Sequence, residues 1–90
     1  MDRRKLLYSI LKELQDGNEP KQTDYELDNE QWGEMLELIR DEGYAKSVTV
    51  QRGGIGNPVV YAWLNKAKIT FKGIEYLEAN NAMARLYSGL

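Results

Sequence analysis

Apolar side chains recur at Leu6, Leu7, Ile10, Leu11 and Leu14, with polar and charged residues between them. Steps of three and four are the mark of a helix with one buried stripe, and they predict a helix from about Arg3 to about Asp16. Asp2 is placed to cap its start, and Gly17 supplies a left-handed stop. The stretch Gly17-Asn18-Glu19-Pro20-Lys21-Gln22-Thr23 is loop by composition, after which Tyr25 and Leu27 offer a short extended piece.

The next helix is the best signalled. Asp28 and Gln31 stand at capping-box spacing, and Leu27 and Trp32 at the two ends of a hydrophobic staple. At about 100° per residue, Trp32, Met35, Leu36 and Ile39 share one face. Glu30, Glu34, Glu37 and Asp41 share the opposite one, and Gly43 ends the helix.

From Lys46 the period changes to two: Lys46, Val48 and Val50 alternate with Ser47, Thr49 and Gln51, the pattern of a strand. A turn Gly53-Gly54-Ile55-Gly56-Asn57-Pro58 leads to Val59–Leu64, β-branched and aromatic on both faces. One face of this hairpin can pack on the helices, and the other needs cover. A final helix starts at Thr70 as N-cap, with Ile69 and Ile74 at staple spacing and Phe71, Ile74 and Leu77 pointing inward. Asn80-Asn81 breaks it. In the tail, Ala79, Met83, Leu86 and Leu90 fit a short amphipathic turn or two. Trp32, Trp63, Phe71 and Tyr76 read as core, although Tyr61 and Trp63 share strand parity and could instead form an exposed aromatic pair.

The order helix, short strand, helix, hairpin, helix predicts an α+β, winged-helix-like fold over residues 1–90, with the second helix of the helix-turn-helix reduced or missing. Only a turn or so of helix fits between Gly17 and Leu27. There is no internal repeat, and no linker long enough to split the chain.

Net charge changes the picture only when taken by segment. The total is −2, but residues 1–16 sum to +1, residues 17–43 to −7 and residues 44–90 to +4. Chemistry is narrowed by what is missing. With no cysteine there is no disulfide framework or thiolate metal site, and with no histidine the commonest general base and zinc ligand are gone. The four carboxylates of the second helix share one exposed face, whereas glycosidase chemistry needs two carboxyls facing each other across a pocket. Gly54-x-Gly56 is no nucleotide fingerprint, because the third glycine position is Val59 and a strand comes next. The reading is therefore non-catalytic, with no cofactor and no metal. The charged start Asp2-Arg3-Arg4-Lys5 leads into no apolar core of the secretory kind. No apolar run approaches the length of a membrane span, so the chain is read as cytoplasmic.

Several blocks carry a resemblance. These are Asp2-Arg3-Arg4-Lys5-Leu6-Leu7-Tyr8, Asp24-Tyr25-Glu26-Leu27 leading into Gln31-Trp32-Gly33-Glu34, and Arg52-Gly53-Gly54-Ile55-Gly56-Asn57. Ala67-Lys68-Ile69-Thr70-Phe71-Lys72-Gly73-Ile74-Glu75-Tyr76-Leu77 completes the set. Together they resemble the YjcQ-like family of small bacterial and prophage proteins over about residues 2–80. The resemblance implies a winged-helix fold in a prophage-type setting and no established activity.

Two functional expectations arise. The first is a small nucleic-acid-binding regulator, on duplex DNA, that uses the wing (Lys46, Arg52, Gly53, Gly54) and nearby cations (Lys66, Lys68, Lys72). Arg3, Arg4 and Lys5 assist. Such groups position a protein on phosphate and carry little sequence information. In this reading the acidic helix stays clear of the polyanion. The glycines let backbone approach a groove, or simply satisfy the turn. The second expectation is a protein-interaction or adaptor module presenting Glu30, Glu34, Glu37 and Asp41, or Tyr61 and Trp63, to a partner. In the tail, Met83, Leu86, Tyr87 and Leu90 either pack on the first helix or pair with a second copy in a homodimer.

Overall fold

Residues 2–81 are described in a computed structural model, and the predictions for the C-terminal tail lie outside them. Asp2 caps the first helix as expected: its carboxylate accepts from the amides of Arg4 (2.7 Å) and Lys5 (3.4 Å). Helix α1 spans Arg3–Gln15 and buries Leu6, Leu7, Tyr8, Ile10, Leu11 and Leu14. Gly17 comes after it at φ +86°, the left-handed conformation that stops the helix.

The short strand expected at Tyr25–Leu27 is instead a single 3-10 turn, Gln22–Tyr25. Local hydrogen bonds win over extended pairing here. The Lys21 amide donates to Asp24 Oδ2 at 2.8 Å, and the Gln22 amide group donates to the Leu27 carbonyl and to Asn29 Oδ1, both at 3.0 Å. Glu26 then reverses the chain at φ 55°. The turn is fastened on two sides: the Tyr25 hydroxyl meets Ser9 Oγ at 3.1 Å, and the Tyr25 ring stacks on Trp32 at 6.1 Å. The reduced second helix of the helix-turn-helix is this turn.

Helix α2 spans Asn29–Asp41 and starts on the predicted capping box. Asp28 Oδ1 accepts from the Gln31 amide at 2.8 Å, and Gln31 Oε1 accepts from the Asp28 amide at 3.1 Å. Trp32, Met35, Leu36 and Ile39 are buried against α1.

The hairpin is built in two pieces. Strand β1 (Ala45–Lys46) pairs antiparallel with β4 (Lys68–Ile69), and β2 (Thr49–Arg52) with β3 (Val59–Trp63). Strand pairing is interrupted between the two pieces, where Ser47 and Lys66 take positive φ, 63° and 57°. A second irregularity lies in β3. Gln51 faces Tyr61 while Arg52 faces Val59, so Val60 is an extra residue without a partner. This β-bulge reverses strand parity. Val59 turns inward, Val60 and Tyr61 both turn out, and the alternation resumes with Ala62 packed on the core and Trp63 exposed.

Helix α3 spans Phe71–Ala79, is capped by Thr70 and ends at Asn80, where a break was expected. Its buried positions are Gly73 and Leu77, with Ile74 and Tyr76 half-buried. Phe71 does not point inward as predicted; it is 76% exposed. It lies about 160° around the helix from Gly73, and Gly73 is the residue pressed onto the Tyr44 carbonyl and the Ile69 side chain. The whole is an α+β, winged-helix-like arrangement, with three helices around one core and a hairpin projecting from it.

Candidate nucleic-acid interface

The wing tip is a glycine turn. Gly53 donates to the Pro58 carbonyl at 3.1 Å and Asn57 to the Gly54 carbonyl at 3.2 Å. Gly54 and Gly56 sit near φ +80° with open space around them. The need for φ > 0 explains these glycines without a ligand. Ile55, at the apex, is fully exposed.

Arg52 was expected to reach out from this tip toward phosphate. It turns back onto α2 instead. Its Nη2 donates to Glu37 Oε1 at 2.6 Å, its Nε to Glu37 Oε2 at 2.9 Å, and its Nη1 to Glu30 Oε2 at 3.3 Å and to the Asn57 carbonyl at 3.1 Å. The two-pronged contact with Glu37 has the geometry of a strong guanidinium–carboxylate pair. It holds the Glu37 carboxyl below its ordinary pKa, and in return raises that of Arg52.

The same closeness revises the acidic face of α2. Glu30 and Glu37 are engaged with the hairpin, and Glu30 Oε1 also accepts from the Val59 amide at 2.6 Å. Only Glu34 and Asp41 of the four carboxylates remain well exposed. Glu34 lies 4.0 Å from Arg3, and Asp41 meets Arg40 at 3.1 Å. The cause is Gly33. A β-carbon there would lie 2.5 Å from Val59 Cγ2, so its absence lets β3 settle onto the helix. Trp32 Nε1 adds a bond to the Ala62 carbonyl at 2.9 Å. Spacing along α2 could not reveal this contact, because it depends on how the hairpin crosses the helix.

The remaining cations separate into free and engaged. Lys72 lies 3.9 Å from Glu42 and 5.6 Å above the Tyr44 ring, so it is tied to its own surroundings. Lys46, Lys66 and Lys68 are exposed, and among the described residues none of them forms an ion pair. Lys46 and Lys68 are direct cross-strand partners. Like charges placed opposite each other weaken a sheet. Arg4 and Lys5 are likewise exposed and without an ion pair among the described residues, at the start of α1. The free positive charge of the hairpin therefore sits at its stem, not its tip.

The outer face of the hairpin carries Val60, Tyr61 and Trp63, exposed to 54%, 39% and 52%. The rings of Tyr61 and Trp63 lie 4.8 Å apart, tilted by 42°. Trp63 is thus not a core residue, and the exposed pair is the arrangement the fold adopts. Among the described residues no three acidic side chains converge to hold a metal ion, and no helix is long and apolar enough to cross a membrane.

The family model described as "YjcQ protein" matches residues 8–90. The chain belongs to the YjcQ family. The resemblance noted in the sequence is thereby established for most of its length. No curated protein and no solved structure matches this YjcQ-family chain, so its functional residues rest on its own geometry.

Proposed function

We propose that this YjcQ-family chain is a non-catalytic nucleic-acid-binding domain that meets phosphate through the stem of its hairpin. The single observation that carries the reading is the Lys46–Lys68 cross-strand pair, joined by Lys66, with no ion pair among the described residues to neutralise it. A polyanion relieves the repulsion and releases counterions as it binds. Arg52 and Lys72 leave the contact set because carboxylates already hold them; Arg4 and Lys5 stay as auxiliary cations. Contacts of this kind position a protein without reading bases. The domain is then a small regulator of prophage type with modest sequence selectivity.

An NMR titration with a mixed-sequence DNA duplex at low and moderate salt tests this. Shifts are expected at residues 45–46 and 66–69. With three phosphates neutralised, the affinity should fall with a log–log salt slope of about −2 to −3. The Lys46→Gln/Lys66→Gln/Lys68→Gln variant should lose most of that slope. No shift at low salt with either the duplex or a single strand of the same length ends the proposal. The exposed Tyr61 and Trp63 rings favour, as a second reading, a protein partner on the outer face of the hairpin, which takes over in that event.

A further inference from the structure

The two faces of the hairpin differ in what they can meet. The inner face is occupied: Val59 presses on Gly33, Arg52 grips Glu37, and Ala62 accepts from Trp32. Tyr61 and Trp63 stand on the opposite side of the ribbon, away from the carboxylates of α2. Trp63 also borders a groove with Glu19, Pro20 and Lys21. Glu19 borders the adjoining groove as well, which Lys66 and Lys68 line. The two grooves share Glu19, so Trp63 and Lys21 border one of them and Lys66 and Lys68 the other. Three cations, Lys21, Lys66 and Lys68, stand there with two carboxylates, and both carboxylates are already engaged by backbone: Glu19 accepts from the Lys66 amide at 3.0 Å and Asp24 from the Lys21 amide at 2.8 Å.

We infer that this surface binds single-stranded nucleic acid in preference to duplex, with unstacked bases on Tyr61 and Trp63 and phosphates at Lys21, Lys66 and Lys68. The inference rests on the nucleic-acid reading above and names its substrate class. Duplex DNA keeps its base faces inside the stack, so it offers exposed aromatic rings nothing to stack on. A single strand offers every base, whatever its sequence. The duplex mode of this fold class places a helix in the major groove. Here α2 would bring Glu34 and Asp41 toward phosphate, and the Arg or Lys and Asn or Gln side chains that read bases are scarce on it. A peptide with acidic and apolar residues would meet the same groups. The tilted ring pair with these lysines fits alternating bases and phosphates more closely, because both components then recur along the ligand.

Fluorescence anisotropy on the full chain tests the inference, with a labelled oligothymidylate of about fifteen nucleotides and a mixed-sequence duplex of equal length. The single strand is expected to bind more tightly and to quench the emission of exposed Trp63, while buried Trp32 reports that the fold is intact. Trp63→Ala should weaken single-strand binding about five- to a hundred-fold; Trp63→Phe, which keeps a stacking face, should retain most of it. Tighter binding to duplex overturns the inference. So does unchanged binding by Trp63→Ala and Tyr61→Ala where the triple lysine variant weakens it. In both of these cases the nucleic-acid reading survives. Binding to neither oligonucleotide removes both and assigns the rings to a protein partner.

Discussion

The guanidinium of Arg52 spans both oxygens of Glu37, at 2.9 Å through Nε and 2.6 Å through Nη2, and so ties the hairpin to helix α2 across a gap of fifteen residues in sequence. Both side chains are about a quarter exposed, which limits screening by solvent. The fork, with the contact from Glu30, should act as a latch on the orientation of the wing. Arg52→Ala is expected to lower the thermal midpoint by a few degrees and to leave α1 and α3 undisturbed. A double-mutant cycle of Arg52→Ala with Glu37→Ala should give a favourable coupling that shrinks as salt is added. Strict additivity of the two single changes would show that the contact does not hold the wing.

Acid should open the same latch. The hydrogen bond from Arg52 is the largest cause that holds the Glu37 carboxyl below its ordinary 4.5, with burial acting in the opposite direction. The unfolded chain therefore takes up this proton before the folded one does. The stabilisation is complete above about pH 4.5 and is lost as pH falls through the lower folded value. Asp2 contributes in the same direction, since the amides of Arg4 and Lys5 lower its carboxyl from 3.8. Urea midpoints measured from about pH 6 to about pH 3 should fall. They should fall less steeply in Glu37→Gln, which keeps the contribution of Asp2 and loses that of Glu37. An identical slope in the variant and the native chain would contradict this account.

Gly33 poses a conflict between helix propensity and packing. Alanine in the middle of a helix is ordinarily favoured over glycine by about 1 kcal/mol. At this position the added methyl would sit 2.5 Å and 2.9 Å from the two methyls of Val59, a β-branched residue held in a strand. Overpacking of this kind costs about 1–3 kcal/mol, so Gly33→Ala should destabilise the domain in urea unfolding. In a Val59→Ala background the obstruction is gone and the sign should reverse. A stabilised single variant would mean that the hairpin rides further from α2 than the contact between Gly33 and Val59 requires.

How much of this was legible in the sequence depended on the reach of each signal. Asp28 and Gln31 identified the start of α2 because their bonds close within three residues, and Thr70 identified the start of α3 in the same way, its hydroxyl accepting from the Gly73 amide at 3.1 Å. The five-residue apolar stripe of α1 needed no partner to be recognised. The reading failed where one residue or one crossing decided the outcome. The shared parity of Tyr61 and Trp63 was legible, but which face they take was not, because Val60 adds a residue to β3 and turns both rings outward while Val59 stays buried. Trp32 and Trp63 look alike in an apolar pattern, yet one is 2% exposed and the other 52%. Arg52 was identified as a wing residue, but its partners lie on another element. The positive charge seen in the C-terminal half was real. Among the described residues its unpaired portion on the hairpin lies at the stem lysines, whereas Arg52 near the tip is held by carboxylates.

Lys46 and Lys68 bring stability and binding into opposition. They face each other across β1 and β4 with no acidic partner among the described residues. An opposite charge at one of the two positions should add about 0.2–1 kcal/mol through a cross-strand pair. Lys46→Glu is therefore expected to raise the urea midpoint. If the stem is where phosphate is met, the same substitution should weaken nucleic-acid binding by more than Lys46→Gln does, since it adds repulsion to the loss of a cation. A gain in stability together with a loss in affinity is the pattern of a residue kept for contact at some expense to the fold. A stabilised Lys46→Glu chain that bound oligonucleotide as well as the native one would separate the stem from the binding surface and leave its like-charge pair without a role in recognition.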